Sequence, residues 1–566
     1  MISRLKKMKN NNLIIWAYNE FVKKYQLYFF YYIFLKTVSG IMAFIPPIFI
    51  GRIIDYALNK NMEKVIMLLI IIMVVLMGNS VISIFESKLQ VKINYLITNE
   101  IKEKVIKKFV DMELSDVEKI DRGEFISRLG DAEEIVQYFL EITSLIFIDL
   151  VAFIFALVVM FFISPFLSFI CIINIPVILI VQNMFGKKIG MKEKLIKLKN
   201  DRYYSLVYEI IDSIKEIKIF SMQKEICKNF TERLNQYTKL VKDKADISMK
   251  AGFFSVLING FFQLALIAFG CYFIVIGSIS VGSYFTFNSY VSRFNNELQS
   301  ISQFSIKKQT YCVSISRLYK LFSIHGETER KLIGENLKWE NGSIRLENLF
   351  FRYQENPKVI LNIGNFVFRE NEISVIVGNN GAGKSTLFDL IANFYEFKGK
   401  IYFGNADINS FDIIQLRKEI CYIQQKSYFF KRTILENLQL NNKDISIKEV
   451  KEACKSVEMH EVINELPDKY DTIVSEEGIN FSGGQLQRLA LARAILSKAP
   501  IILLDEITSG IDEHGRYVMY DVIKTLKKNH TILIISHDLD ICKIADRRVY
   551  LTGGDIREGA TAEEKL

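Results

Sequence analysis

Cysteine, proline, histidine and tryptophan are all scarce in these 566 residues, with 7, 7, 5 and 2 copies respectively. The cysteines, at 171, 227, 271, 312, 421, 454 and 542, form no CxxC pair and no metal-ligand spacing. That excludes a small disulfide scaffold, and most of them read as small buried hydrophobes. The opening segment MISRLKKMKN has no adjacent apolar core and no small-residue cleavage site, so no signal peptide is expected. Apolar residues, in contrast, make up 50% of the chain against 24% charged, which excludes disorder and collagen-like repeats. The length prior is roughly three or four domains. Composition is segregated: apolar runs fill the first 300 positions, and the remainder has an ordinary globular mixture.

A helix needs about 20 apolar residues to cross a hydrocarbon core of about 30 Å. Five runs qualify: Leu27–Ile50, Val65–Ile84, Ile142–Ile163, Phe166–Phe185 and Phe253–Ile276. The net charge of +9 is carried largely by Lys and Arg in the loops between these runs, which points to cytoplasmic membrane loops and away from a nucleic-acid partner. The connections Ser164-Pro165 and Gly277–Gly282 contain neither Lys nor Arg, so the N-terminus and both long loops are expected in the cytosol. Arg52, Lys60 and Lys64 in the first connection run against that orientation without reversing it.

Five spans would put the C-terminal half on the opposite side from the N-terminus, outside the cytosol, so parity calls for a sixth. The candidate for a sixth is Tyr284–Phe304, which carries Asn288, Arg293, Asn295, Asn296 and Glu297. A helix this polar cannot face lipid, so these groups are expected to face the bundle interior or a wet cavity. Pairing of Arg293 with Glu297 at i,i+4 near the membrane edge is the plainer alternative. Asp149 and Lys36 interrupt other spans and are candidates for a substrate path or for structural pairing. The substrate-path candidates are therefore Asp149, Asn288, Arg293 and Asn295.

A domain boundary falls near residue 340, after which short apolar strands alternate with helical segments, as in an α/β domain. The apolar strand EISVIV leads into Gly378, Asn379, Asn380, Gly381, Ala382, Gly383, Lys384, Ser385 and Thr386, a complete GxxxxGK[ST] loop followed by a helical pattern. Such glycines let main-chain N–H groups wrap phosphates, the lysine reaches the β/γ oxygens, and Ser385 offers a hydroxyl to Mg²⁺. Further on, Phe481 precedes Ser482, Gly483, Gly484 and Gln485 and an apolar-periodic run, a second anion-seeking helix start. The strand IILLDE ends in Asp505 and Glu506, where one carboxylate can hold Mg²⁺ and the next can polarise a water. His537 occupies a similar position after the strand LIIS.

With these motifs together, the chain resembles the ATP-binding cassette (ABC) transporters in the exporter-type half-transporter arrangement. The resemblance implies an α-helical polytopic membrane domain fused to an α/β P-loop NTPase domain. Its expected division is 1–25 for a cytosolic segment, 26–320 for six membrane helices with two long intracellular loops, 321–342 for a linker and 343–566 for the cassette. It further implies Tyr353 stacking on adenine, and Gln425 contacting Mg²⁺ and sensing the membrane domain. Asp512 would cross a dimer interface, and Ser482–Gln485 would contact the partner's nucleotide. The segments IDRGEFISRLGDAEEI and YEIIDSIKEIKIF match the family's intracellular loops. Departures are Phe481 for a usual leucine, Gln424 for a frequent proline, and Ser475 and Glu477 beside the retained Glu476 and Gly478. No cysteine precedes Cys171, so the family's N-terminal cysteine-peptidase extension is expected to be absent.

The implied activity is ATP hydrolysis coupled to export of an amphipathic or hydrophobic solute, whether peptide, drug-like or lipid-like. A lipid or lipid-linked glycan flippase and a membrane ATPase sensor acting through a partner are the alternatives. ATP and Mg²⁺ are the cofactors, a homodimer is the expected assembly with a heterodimer as the other option, and the setting is a multi-pass cell membrane. The Ile-, Lys- and Asn-heavy usage hints at a compositionally biased bacterial genome.

Overall fold

The computed structural model describes residues 10–327, 342–353, 358–440, 442, 444–474, 481–508, 510–538 and 540–559, apart from the side chains of Asn10, Ser302, Ser305 and Ile306. The chain forms two compact units: residues up to Val110 with Glu118–Ile324, and Asp111–Val117 with the chain from His325 onward.

The first unit is helical. Its long helices are α1 (Gln26–Ala43), α2 (Ile45–Leu58), α3 (Met62–Val110), α4 (Arg122–Ser144), α5 (Leu150–Ile163), α6 (Pro165–Asp212), α7 (Gln223–Val275) and α8 (Val281–Phe322). Five stretches are long and apolar enough to cross a membrane: Asn11–Leu58, Met62–Val110, Arg122–Ile163, Pro165–Asp212 and Gln223–Val275. They cover the five apolar runs, the fifth ending one residue short at Val275, with two local changes. The first run breaks at Phe44, because Pro46 and Pro47 are tolerated only in the first turn of a new helix. The third passes through a π-helical turn, Leu145–Asp149, so Asp149 sits where the helix is widened. Large apolar side chains on these helices point outward, as a surface that meets lipid requires; Phe162 and Val275 are each 85% exposed.

The sixth candidate span lies within α8, 42 residues long and more polar than the other five. One face of it is nevertheless a packed apolar stripe. Phe287, Tyr290, Val291, Phe294 and Leu298 recur at helical spacing and pack with Ala152, Met160, Leu167 and Leu266. In lipid this stripe is held by close van der Waals packing rather than by withdrawal from water. The end of α2 is tied to the start of α8 by Asp55, which accepts from Ser280 Oγ at 2.7 Å and from the Gly282 N–H at 2.8 Å.

Cys171, Cys312, Cys454 and Cys542 are buried, as expected of small hydrophobes. Cys227 and Cys271 are exposed and correct that reading: Cys227 lies on the polar first turns of α7, and Cys271 on its outward apolar face.

The second unit has two sheets. In the smaller, order β2-β1-β4-β5, the strands β1 (Ile344–Phe351), β2 (Leu361–Phe368), β4 (Lys398–Phe403) and β5 (Ala406–Asp407) pair antiparallel. The larger sheet has the order β10-β9-β3-β8-β7-β6. Its members are β3 (Ile373–Val377), β6 (Ile420–Ile423), β7 (Ile501–Asp505), β8 (Thr531–Ile535), β9 (Arg547–Thr552) and β10 (Asp555–Gly559). All its neighbours pair in parallel except β10 with β9. Every residue of β7 and β8 is buried, which is why both read as unbroken apolar runs. Ile502 and Leu504 face a core with α10 (Gly483–Ser497) and α11 (Glu513–Leu526); Leu503, from the other face, joins Leu387 and Ile391 of α9 (Lys384–Ile391) and residues of the smaller sheet.

The segment Asp111–Val117 belongs to this second unit although α3 and α4 flank it in sequence. Met112 bridges to Gly326, the Glu327 N–H donates to the Asp111 carbonyl at 2.7 Å, and Leu114 packs against the core beside α9.

Candidate functional site

The parallel strands β3, β8, β7 and β6 lie side by side, and their carboxyl ends share one edge, where ligands of open α/β sheets bind. Each strand end delivers one group. The loop after β3 turns sharply with Gly381 at φ +77° and Gly383 at φ +99°, a backbone that side chains other than glycine's resist. A Cβ on Gly378 would lie 2.3 Å from the Leu551 carbonyl oxygen, so the loop can pass β9 only as glycine. It delivers Lys384, whose Nζ donates to the carbonyls of Gly378 (2.7 Å) and Asn379 (3.3 Å).

The remaining groups follow in strand order. His537, after β8, places Nε2 at 3.2 Å from Lys384 Nζ and 3.6 Å from Glu506 Oε1. Glu506, after β7, accepts a hydrogen bond from Gln425 Nε2 at 2.5 Å, and Gln425 follows β6. Lysine, histidine, glutamate and glutamine thus form one line of contacts across four strand ends. A neutral imidazole with its lone pair at Nε2 accepts from the lysine. Glu506 itself adopts φ +49°, a left-handed backbone that costs about 1–3 kcal/mol and is found where a site needs it. Its N–H still donates to the Ile535 carbonyl at 2.9 Å, so the strand pairing holds the residue there.

Asp505 is buried at the end of β7, and its carboxyl bonds to the Ser385 hydroxyl and to Tyr422. Burial pushes this carboxyl above its usual range, partly offset by the Ser385 hydrogen bond and by Lys384. Burial likewise lowers the Lys384 ammonium, opposed by Glu506 and Asp505. Hydroxyl, carboxylate and amide oxygens of Ser385, Asp505 and Gln425 are hard donors of the kind Mg²⁺ accepts beside phosphates. Among the described residues no cluster of three His, Cys, Asp or Glu has metal-site geometry.

The Tyr353 hydroxyl meets Thr386 Oγ1 at 3.1 Å, and its ring lies edge-on to Phe351 and Tyr395. Ser482 and Gln485 close a capping box at the start of α10: Ser482 Oγ accepts from the Gln485 N–H at 3.2 Å, and Gln485 Oε1 accepts from the Ser482 N–H at 2.8 Å. Gly483, between them, is exposed, and no atom of the described residues lies within 4 Å of an added Cβ. Asp512 stands exposed immediately before α11. Ser475, Glu476, Glu477 and Gly478 lie outside the described residues.

Sequence reasoning missed Arg493. It lies on the buried side of α10 over the Phe429 ring (3.9 Å), donating to the carbonyls of Asn437 (2.9 Å) and Tyr428 (2.8 Å). Burial lowers its guanidinium to about 10. It fastens the helix that starts at Ser482 to the loop that follows Gln425. Arg493→Ala strands those carbonyls and removes the ring contact, with an expected loss of about 2–4 kcal/mol. Thermal unfolding of the full chain in lipid nanodiscs should show this as a lowered cassette transition.

In the helical unit the four substrate-path candidates separate. Arg293 donates to the Ala43 carbonyl at 2.7 Å and stacks 4.1 Å from the Phe44 ring, filling the break between α1 and α2; among the described residues no ion pair joins it to Glu297. Asp149 faces Lys36 and Glu297, and Lys36 also meets Tyr32 (3.0 Å) and Glu86 (3.6 Å). Asn288 is half-buried on α8. Asn295 lines a cavity of about 470 Å³ among α6, α7 and α8. That cavity is lined by three successive long helices whose facing sides are set only by how they pack, so no local pattern could have revealed it.

Comparison with known proteins gives two family matches: "ABC transporter transmembrane region" over residues 29–298, and "ABC transporter" over 361–509. A Staphylococcus aureus protein whose name describes a multidrug export ATP-binding/permease protein is 29% identical over 98% of this chain and 97% of its own length. An ATP-dependent lipid A-core flippase of Syntrophus aciditrophicus is 27% identical over 90% of this chain and 85% of its own. The fold matches a bacterial Atm1-family ABC exporter with ATP bound at a TM-score of 0.85, with 18% identity and 95% of each chain covered.

Proposed function

Because the chain belongs to the ABC transporters, as an ATP-hydrolysing half-transporter of the exporter type, we propose that two identical copies assemble in the cell membrane to export an amphipathic or hydrophobic solute. The observation that carries this reading is the line Lys384–His537–Glu506–Gln425 on four adjacent strand ends. Lys384 and the loop N–H groups hold the phosphates of ATP. Glu506 orients the attacking water, His537 bridges that carboxylate to the phosphate side, and Gln425 fixes it from the other flank. Ser385, Asp505 and Gln425 would hold Mg²⁺, which when bound would neutralise charge on the phosphate oxygens. Tyr353 stacks on the base in this reading.

One chain supplies one cassette. The capping box at Ser482–Gln485 satisfies itself, and Gly483 is left bare, a surface suited to a nucleotide bound by a second chain. Asp512 joins the same interface. ATP binding closes the pair only if it favours the closed arrangement over the open one, and hydrolysis resets it. The N-terminus and cassette are cytosolic in this reading. The multidrug-export and flippase relatives both fit it, and nothing in the chain favours a sensor. No degraded motif calls for a different partner. The chain produced alone in nanodiscs should have the mass of a dimer and hydrolyse ATP. An inactive monomer that gains turnover only with a different half-transporter overturns the homodimer.

A further inference from the structure

The cavity among α6, α7 and α8 has a volume in the range of small-ligand sites, and its lining is chemically uneven. Five carboxamides converge on it: Gln182, Asn259, Asn295, Gln299 and Gln303. The charged residues that line it are paired: Glu193 with Lys244 at 2.5 Å, both within the lining, and Lys307 with Glu141 at 2.7 Å. Among the described residues an ionic ligand therefore meets no unpaired countercharge. A purely apolar ligand would cover the amides without replacing their bonds to water, and buried polar groups left so are unfavourable. Gln182 Oε1 is already buried without a hydrogen-bond partner among the described residues.

The spacing narrows the choice. Asn295, Gln299 and Gln303 recur every four residues on α8, a rise of about 6 Å per step. Backbone groups on one side of an extended peptide recur every second residue, at about 6.6 Å. A carboxamide holds a donor and an acceptor side by side, the complement of a peptide N–H and C=O. Opposite, Ser248, Gly252 and Ser255 of α7 are small enough to let a backbone approach, while Ile178, Phe185 and Val256 offer apolar walls. We infer that the cavity takes a short, uncharged peptide with apolar side chains, extended along the amide ladder of α8. This rests on the exporter reading above and adds its substrate class.

The test uses the full chain in nanodiscs and in vesicles, with N-acetyl-Leu-Ala-Leu-Ala-amide as the probe. Three comparators accompany it: the same peptide methylated at every backbone nitrogen, a lysine-bearing peptide with free termini, and tetraphenylphosphonium. The blocked peptide is expected to stimulate ATP turnover, and N-methylation to raise the half-stimulating concentration at least about ten-fold, the effect of one or two lost hydrogen bonds. Gln299→Leu with Gln303→Leu should weaken the response similarly, each variant being compared with its own basal rate. Gly252→Leu, where an added Cβ meets nothing within 4 Å, fills the cavity and should abolish the response. Equal responses to the blocked and N-methylated peptides, or an unchanged half-stimulating concentration in the double variant, overturn the inference. So does stimulation by the cation or charged peptide alone, which leaves the exporter reading intact. Failure of every probe to stimulate turnover or to cross the vesicle membrane counts against both.

Discussion

Glu506→Gln is expected to cut ATP turnover by about 10²–10⁴-fold while leaving ATP affinity within a few-fold. The substitution removes one charge and keeps the shape. A glutamine at 506 can still accept from Gln425 Nε2 and adopt the same left-handed backbone, so the line of strand-end contacts keeps its geometry. What it loses is a carboxylate able to take a proton from an attacking water. Binding is expected to be spared because the proposed phosphate contacts are on the β3 side, at Lys384 and the glycine loop, away from the Glu506 carboxyl. Turnover in nanodiscs, set beside equilibrium binding of a fluorescent ATP analogue, separates the two effects. Turnover within a few-fold of the unmodified chain would remove Glu506 from that role.

Lys384→Ala is expected to act on binding itself. The ammonium donates to the loop's own carbonyls and stands 3.2 Å from His537. Burial strips water from it and lowers its proton affinity, opposed by Glu506 and Asp505, so a phosphate would give it a charged partner in place of the lost water. Loss of a charge-assisted hydrogen bond of about 1.5–3 kcal/mol corresponds to an affinity drop of about 10–150-fold. The same binding assay reads it, and unchanged affinity counts against the phosphate-loop role. The two variants are opposite controls: one binds without turning over, the other fails at the first step.

Much of the cassette was legible because its determinants are local. A buried parallel strand is a short apolar run, and a phosphate loop needs glycines where φ is positive, so β3, β7 and β8 and the groups at their ends could be read from the chain alone. Strand order was not legible. Only the pairing of β3 with β8, β8 with β7 and β7 with β6 brings Lys384, His537, Glu506 and Gln425 into one line. Arg493 escaped notice because an arginine within an apolar helix announces neither its ring nor its two carbonyls. In the membrane half, hydropathy found five spans and parity supplied the sixth. Neither says which way a helix is turned, so Arg293 and Asn295, two positions apart on α8, have different surroundings: one bonds to Ala43, the other opens on the cavity.

The segment Asp111–Val117 bears on how the protein is made. It leaves the ribosome between two helices of the first unit, yet its packing partners beside α9 are not synthesised until more than two hundred residues later. At about 5–20 residues per second, Leu114 waits some 10–60 s before the core that receives it exists. A fragment starting near residue 343 therefore lacks the strip of chain that Leu114 lays against this core. Newly made chains stalled before that point carry an unclaimed apolar side chain, an opening for chaperones or for a wrong partner.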